Sequence, residues 1–393
     1  MVWRRTYGRT PAGLAVAGGA VLALTVACGA GGTAEGAPGN SGPGSGASAD
    51  RETRYRQVLD DPHPAPADVV RAAGAPSGVA RAGDGSLLLT YDVRNVEDDE
   101  GPAAFAWRIV GADGRTVAQH AEHTDAEAAR VTFTGVPGGF LRVPSGESVD
   151  RVYGLDVRGH RYTVGVSDTP LRTRAGDVLL TAPEPALVHR SATRTAAPPA
   201  GLPDDAVRLA LDERGTVWSL EQPLTDAPQR VVRQRAGRTL GSVAVPEPYT
   251  GGALAAGGDS AALALVRGDD THQRVRGLLV TTDGGGTWRT LLDGGVPWKD
   301  LKSGPEALVL RTLADGRLLV GEEGGPYWIT GDRAALAFHR VTTPAAFTSL
   351  TVDGTTLYGV ADAPAPSYDL VEGEGLWISE DGGGTWRRSR QGG

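Results

Sequence analysis

From residue 76 onward, apolar positions fall in short runs, alternating or continuous, each cut off by Gly, Asp or Pro. This pattern predicts many short strands joined by tight turns rather than helices. A first meander holds strands over Ser86–Asp92 and Ala104–Val110, with Ala112–Val117 after them. A second holds Arg130–Thr134, Gly139–Val143, Arg151–Leu155 and Arg161–Val166, with Gly159 at its turn. A compact third runs through Asp177–Thr181 and Ala186–His189, and Arg194–Pro203 reads as a connector. Only residues 51–75, a lead-in to this domain, have a helical flavour. The predicted class is all-β.

One stretch occurs twice, as GLLVTTDGGGTWR over Gly277–Arg289 and GLWISEDGGGTWR over Gly375–Arg387. Each copy is a strand, a turn rich in Asp and Gly, and a second strand opening with Thr-Trp. That is one β-hairpin, which does not stand alone in water. Each position has a structural job. Thr281 or Ser379 ties the start of the loop by its hydroxyl, and Asp283 or Asp381 accepts N–H groups of its own turn. Gly285 and Gly383 permit positive φ, and Thr287-Trp288 and Thr385-Trp386 bring in indoles large enough to fill a gap between sheets.

Degenerate copies keep the same spacing. Thr330 and Asp332 align with Ser379 and Asp381, and Arg233–Leu240 keeps Gly237 and Thr239 but places Arg235 where the Asp would be. The anchors 235, 283, 332 and 381 are 48, 49 and 49 residues apart. A fixed period of this size marks a propeller or solenoid. It predicts four consecutive units near 204–243, 244–293, 294–341 and 342–389. With the three upstream meanders these make a single β-propeller over 76–389 of seven four-stranded blades, six or eight being the alternatives. Closure removes the exposed sheet edges.

The pattern Ser/Thr-x-Asp-x-Gly-x-Thr-Trp resembles the Asp-box, or bacterial neuraminidase repeat, of sialidase-like β-propellers. In a four-stranded meander such a box lies on the turn between the third and fourth strands, so the turns between second and third strands lie on the opposite face. Those loops are the candidates for a partner: 94–101 with Asp98, Asp99 and Glu100, 144–150, 222–229, 267–276 with Asp269 and Asp270, and 362–374 with Tyr368 and Asp369. The alternative is that these acids are solvated hairpin tips.

If the resemblance extended to activity, it would imply three arginines around a substrate carboxylate, a Tyr nucleophile paired with a Glu, and an Asp acid/base. The family's early motif, aromatic-Arg-Ile-Pro, has its nearest match in Phe140-Leu141-Arg142-Val143-Pro144, with a Leu interposed. Arg142 is thus the one candidate for a catalytic arginine, and no other member of the set is assignable. No metal or cofactor is expected. Each box carries one carboxylate, far from the six to eight oxygens of a Ca²⁺ site, and His120 with His123 reads as a surface pair beyond a strand.

The N-terminus adds a location. Arg4, Arg5 and Arg9 precede an apolar run, Ala12–Ala27, that ends at Cys28, the only cysteine. Residues 1–27 resemble a bacterial lipoprotein signal peptide, with Leu24-Thr25-Val26-Ala27-Cys28 as lipobox and its Leu one place further upstream than usual. A plain secretory signal with an incidental cysteine, or a retained anchor helix, is the alternative, and export by Sec or the twin-arginine route stays open. Residues 28–50, almost wholly Gly, Ala, Ser and Pro, read as a flexible tether. A net charge of −8 argues against nucleic acid as a partner.

The expected protein is therefore a monomeric β-propeller, lipid-anchored at Cys28 on the outer face of the cell membrane, that binds or scaffolds a protein or glycan. The competing expectation is an exo-sialidase-like glycoside hydrolase. The architecture is also similar to that of photosystem II assembly-factor propellers.

Overall fold

The computed structural model describes residues 44–94, 101–125, 131–143, 152–180, 186–224, 227–268, 273–292, 295–301, 304, 308–322, 324–332, 335–361 and 374–389. Cys28, and with it the predicted signal peptide, lies outside them. Two helices come first, α1 (Gly44–Asp60) and α2 (Pro66–Ala73). α2 starts with Pro66 at a position where the missing N–H costs nothing and ends at Gly74, whose φ of 80° turns the chain toward the sheets. Among the described residues no helix is long and apolar enough to cross a membrane.

Seven four-stranded sheets follow, forming the ring of a seven-bladed β-propeller as the repeat spacing predicts. The blades span 78–125, 132–163, 165–197, 206–244, 250–291, 308–340 and 349–388. Several second strands, such as those of blades 5, 6 and 7, are buried almost throughout and read as nearly continuous apolar runs instead of alternating ones. In Ser260–Arg267 every residue but the last is buried, and its small Ala261, Ala262 and Ala264 let the flanking sheets approach.

The core is not one mass but a series of seams between blades. Separate hydrophobic clusters fill the seams between blades 1 and 2, 2 and 3, 4 and 5, 5 and 6, 6 and 7, and 7 and 1. The seam between blades 3 and 4 is made differently. There Thr173 donates from Oγ1 to the Gly215 carbonyl at 2.7 Å. Gly215, at φ 79°, stands so close to the Arg174 backbone that a Cβ would lie 2.3 Å from its carbonyl carbon.

Three details correct the expectations. Gly165–Val166 does not extend the outer strand of blade 2. It crosses to blade 3 and pairs parallel with Thr195–Ala197, so the outer strand of blade 3 precedes its other three in the chain. Thr195–Ala197, expected as connector, is the third strand of that blade. Pro198 and Pro199 then end it, since neither can donate to a ladder. His120 and His123 lie within the strand Thr116–Asp125, not beyond one. The first packs on Trp107 with centroids 5.7 Å apart, and the second bonds the Leu59 carbonyl at 3.0 Å.

No strand is exchanged between blades 7 and 1. The ring is closed there by side chains and by the helices. One cluster unites Val58, Val69 and Val70 of α1 and α2 with Leu89 and Tyr91 of blade 1 and Val360 and Leu376 of blade 7. Arg81 of blade 1 meets Asp353 of blade 7 at 2.6 Å.

Candidate functional site

The two repeats fold into the same turn. In the first, Thr281 donates from Oγ1 to Asp283 at 2.8 Å and accepts the Gly285 N–H at 2.8 Å, while Thr287 gives Asp283 its N–H at 2.9 Å and its hydroxyl at 2.7 Å. Ser379, Asp381, Gly383 and Thr385 repeat this network at 2.7–2.9 Å. These bonds, with the Thr287 and Thr385 N–H groups first, hold the Asp283 carboxyl well below its usual range and lower that of Asp381 to about 2. Gly285 and Gly383 have φ of 88° and 95°. Trp288 stands edge-on to Trp218 of blade 4 at 5.8 Å, and Trp386 edge-on to Phe347 at 5.0 Å.

The degenerate copies abandon this network. Thr330 is fully buried and accepts the Leu318 N–H at 2.9 Å. Arg235 bonds Thr216, and its turn is the two-residue pair Ala236-Gly237 with φ of 51° and 79°, the tight hairpin geometry that a left-handed pair allows. Asp332 opens a short turn, its carbonyl accepting the Leu336 N–H.

Of the loops on the opposite face, Asp98, Asp99 and Glu100, Asp269 and Asp270, and Tyr368 and Asp369 lie outside the described residues. Toward the ring axis lies a channel, a cavity of about 640 Å³ lined by the inner strands of blades 1, 2, 6 and 7 and by the second strand of blade 1. Its charges face one another. Arg81 is bound to Asp353, and Arg94 to Asp92 at 3.0 Å. The hydrogen bond that Arg81 donates to Asp353 more than offsets burial and raises the Arg81 pKa above its ordinary value. Around these pairs stand hydroxyls, among them Thr90, Thr132, Thr134 and Thr351. A wall of hydroxyls and largely paired charge, with Arg311 as a third arginine beside the two ion pairs, offers hydrogen bonds in both senses. None of these residues was singled out in the sequence, because the inner strands carry no recurring motif.

Arg142 is placed elsewhere. It sits between blades 1 and 2, where its guanidinium donates to the Tyr153 hydroxyl at 2.7 Å and meets Glu122 at 3.0 Å. Burial opposes its charge, but Tyr153 and Glu122 outweigh that and raise its pKa. The Tyr153 ring is covered by Arg161, 3.8 Å from its centroid. Arg142 is not among the residues that line the channel. Among the described residues, no three His, Cys, Asp or Glu side chains gather as a metal-binding group.

No protein-family model matches the chain, and no curated protein matches it. Among solved structures it is similar to the β-propeller domain of the Trilobed protease from Pyrococcus furiosus, with 10% identity and a TM-score of 0.47 over 80% of this chain and 94% of that one. It is similar to YCF48 bound to D1 peptide, with 11% identity and a TM-score of 0.30 over 79% and 81%. A third is the α-L-arabinofuranosidase arb93a from Fusarium graminearum, with 12% identity and a TM-score of 0.35 over 79% and 92%.

Proposed function

We propose that the chain is an extracytoplasmic binding module, anchored through a lipid on Cys28, whose channel and surrounding loop face hold a protein or glycan partner without breaking bonds in it. The observation that carries this reading is the pairing of Arg81 with Asp353 and Arg94 with Asp92 amid channel hydroxyls. Such a wall suits the uncharged polar groups of sugars or peptide backbone. Two of its three arginines, Arg81 and Arg94, are engaged by carboxylates rather than free to hold a sialic-acid carboxylate.

The test fills the channel. Thr132→Trp and Thr351→Trp variants of the full-length chain are compared with the wild type for what co-purifies from membranes of the native cell. Species retained by the wild type and lost with the variants support the reading; an identical set with both overturns it. The anchor is tested by a fatty-acid probe, which labels the wild type and not Cys28→Ser if the cysteine is lipidated.

A second reading, exo-sialidase-like hydrolysis, draws on Arg142, Tyr153 and Glu122, since an Arg, a Tyr and a Glu in mutual contact are residue types that chemistry uses. On the binding-module reading the full-length chain releases no fluorophore from a sialic-acid glycoside. Turnover abolished by Arg142→Ala in a folded protein would replace it with the enzyme.

A further inference from the structure

Away from the channel, blade 5 ends in a cavity of about 880 Å³ on the side opposite its Asp-Gly turn. The hairpin Ser260–Arg267 and Arg274–Thr281 forms one wall, Tyr249 at the entry to the inner strand another, and the connector to blade 6 the third, with Val296, Pro297, Trp298 and Lys299.

Three arginines line it. Arg267 and Arg274 are directly opposite each other in the antiparallel register, and Arg276 follows on the same face as Arg274. Like charges in opposed positions destabilise a hairpin. Lys299 adds a fourth cation, one of only two lysines in the chain. All four side chains are exposed, and none makes an ion pair among the described residues. In a chain of net charge −8, four cations on a cavity whose described lining holds no carboxylate are not an average surface; Asp269 and Asp270, at the tip of the same hairpin, lie outside the described residues.

A second observation is independent of charge. Trp298 lines the cavity, is only 5% exposed, and its indole N–H has no acceptor. A buried N–H without a partner costs free energy unless something fills the place.

We propose that this cavity binds a compact oxyanion carried on a sugar ring, a sugar acid or a sugar phosphate. The arginine forks match the two oxygens of a carboxylate or the oxygens of a phosphate, and they are less strongly hydrated than lysine, so they release water to a ligand more readily. The Trp298 and Tyr249 rings with Val296 and Pro297 give the ring an apolar wall. A cavity of this volume takes a ligand of about one or two sugar units, whereas an extended acidic peptide asks for a long groove or a free strand edge. The site lies on the loop face but apart from the channel, so its failure leaves the channel test untouched, and the reverse also holds.

The test is calorimetric titration of the full-length chain in neutral detergent with digalacturonate, its dimethyl ester, galactose 1-phosphate and tetraglutamate. Binding of digalacturonate or galactose 1-phosphate, at least about tenfold tighter than the ester and weakened by salt, supports the proposal. The two ligands tell carboxylate from phosphate. The double variant Arg274→Gln/Arg276→Gln, substituted at exposed positions, keeps the wild-type melting curve and weakens binding about tenfold or more. No binding of either sugar, unchanged binding in the double variant, or tetraglutamate binding as tightly as digalacturonate each overturns the assignment.

Discussion

Arg51 and Glu374 are 323 residues apart in the chain, and the guanidinium of one lies 3.0–3.1 Å from both oxygens of the other. Arg51 also donates to the Ala73 carbonyl at 2.6 Å, and both charged side chains are only 9% exposed. α1 is thereby pinned to α2 and to blade 7 where the first and last blades meet. A fork-on-fork pair is the geometry in which a buried ion pair offsets its own desolvation.

Removing one partner leaves the other charge buried and unpaired. Glu374→Gln or Arg51→Met is expected to cost about 3 to 5 kcal/mol in urea unfolding, while Arg51→Met/Glu374→Leu recovers most of that loss. A double variant no better than the singles would show that the pair holds the seam by orientation instead.

The Asp-Gly turns are expected to matter for stability alone. Asp381→Ala strips the acceptor from three hydrogen bonds and should cost about 1 to 3 kcal/mol. Trp386→Ala, which empties the space beside Phe347, should cost about 3 kcal/mol. Because the folded carboxyl is lowered from 3.8 to about 2, the contribution is complete above the ordinary value and is lost as pH falls through that window. Melting curves with Ca²⁺ and with chelator should coincide; a shift with Ca²⁺ that Asp381→Ala removes would make the turn a metal site.

His189 gives the fold a second acid limit. It is fully buried in blade 3 with neither ring nitrogen bonded, and burial lowers its pKa from 6.5 to about 4 despite the nearby Asp177 charge. The unfolded chain takes up the proton first, so stability falls as pH drops from 6.5 toward 4, by at most about 1.4 kcal/mol per unit. His189→Phe should flatten that stretch of the stability–pH curve. An unchanged slope would assign the acid limit to other groups.

Glycines divide sharply by what surrounds them. A Cβ on Gly135 would lie 1.7 Å from the Arg81 carbonyl oxygen, backbone against backbone between the inner strands of blades 1 and 2. Gly135→Ala should therefore cost about 3 kcal/mol or more by forcing the blades apart. Gly138, at φ 86° with nothing within 4 Å, should cost only about 1 kcal/mol on the same change, from its backbone alone. Denaturant midpoints of the two variants compare the effects, and equal losses would contradict the close approach.

Blades 4 to 7 were legible because their turns recur at a fixed step, and Trp288 and Trp386 repeat with them. The outer strand of blade 3 was not: Gly165–Val166 is two residues long and exposed, so nothing in its pattern tells which sheet it joins. Nor was the channel. Arg81 and Asp353 are 272 residues apart, and the inner strand Gly78–Arg81 shows little amphipathic pattern to announce itself. Arg142 stood out by a short motif, yet its surroundings are set by Glu122 and Tyr153 on other strands. The Arg81–Asp353 contact further depends on ring closure, which no local window contains.

The unequal seams have one more consequence. Among the described residues, apolar clusters join blade 4 to 5, 5 to 6, 6 to 7, 7 to 1, 1 to 2 and 2 to 3, but not 3 to 4. Viewed by its cohesion, the ring is a linear stack that begins with blade 4 and ends with blade 3, and the native chain is a circular permutation of that stack. Nearest-neighbour arrays fray from their ends. Here the ends are blades 3 and 4 in mid-sequence, while the helical clasp puts the first and last blades in the protected interior.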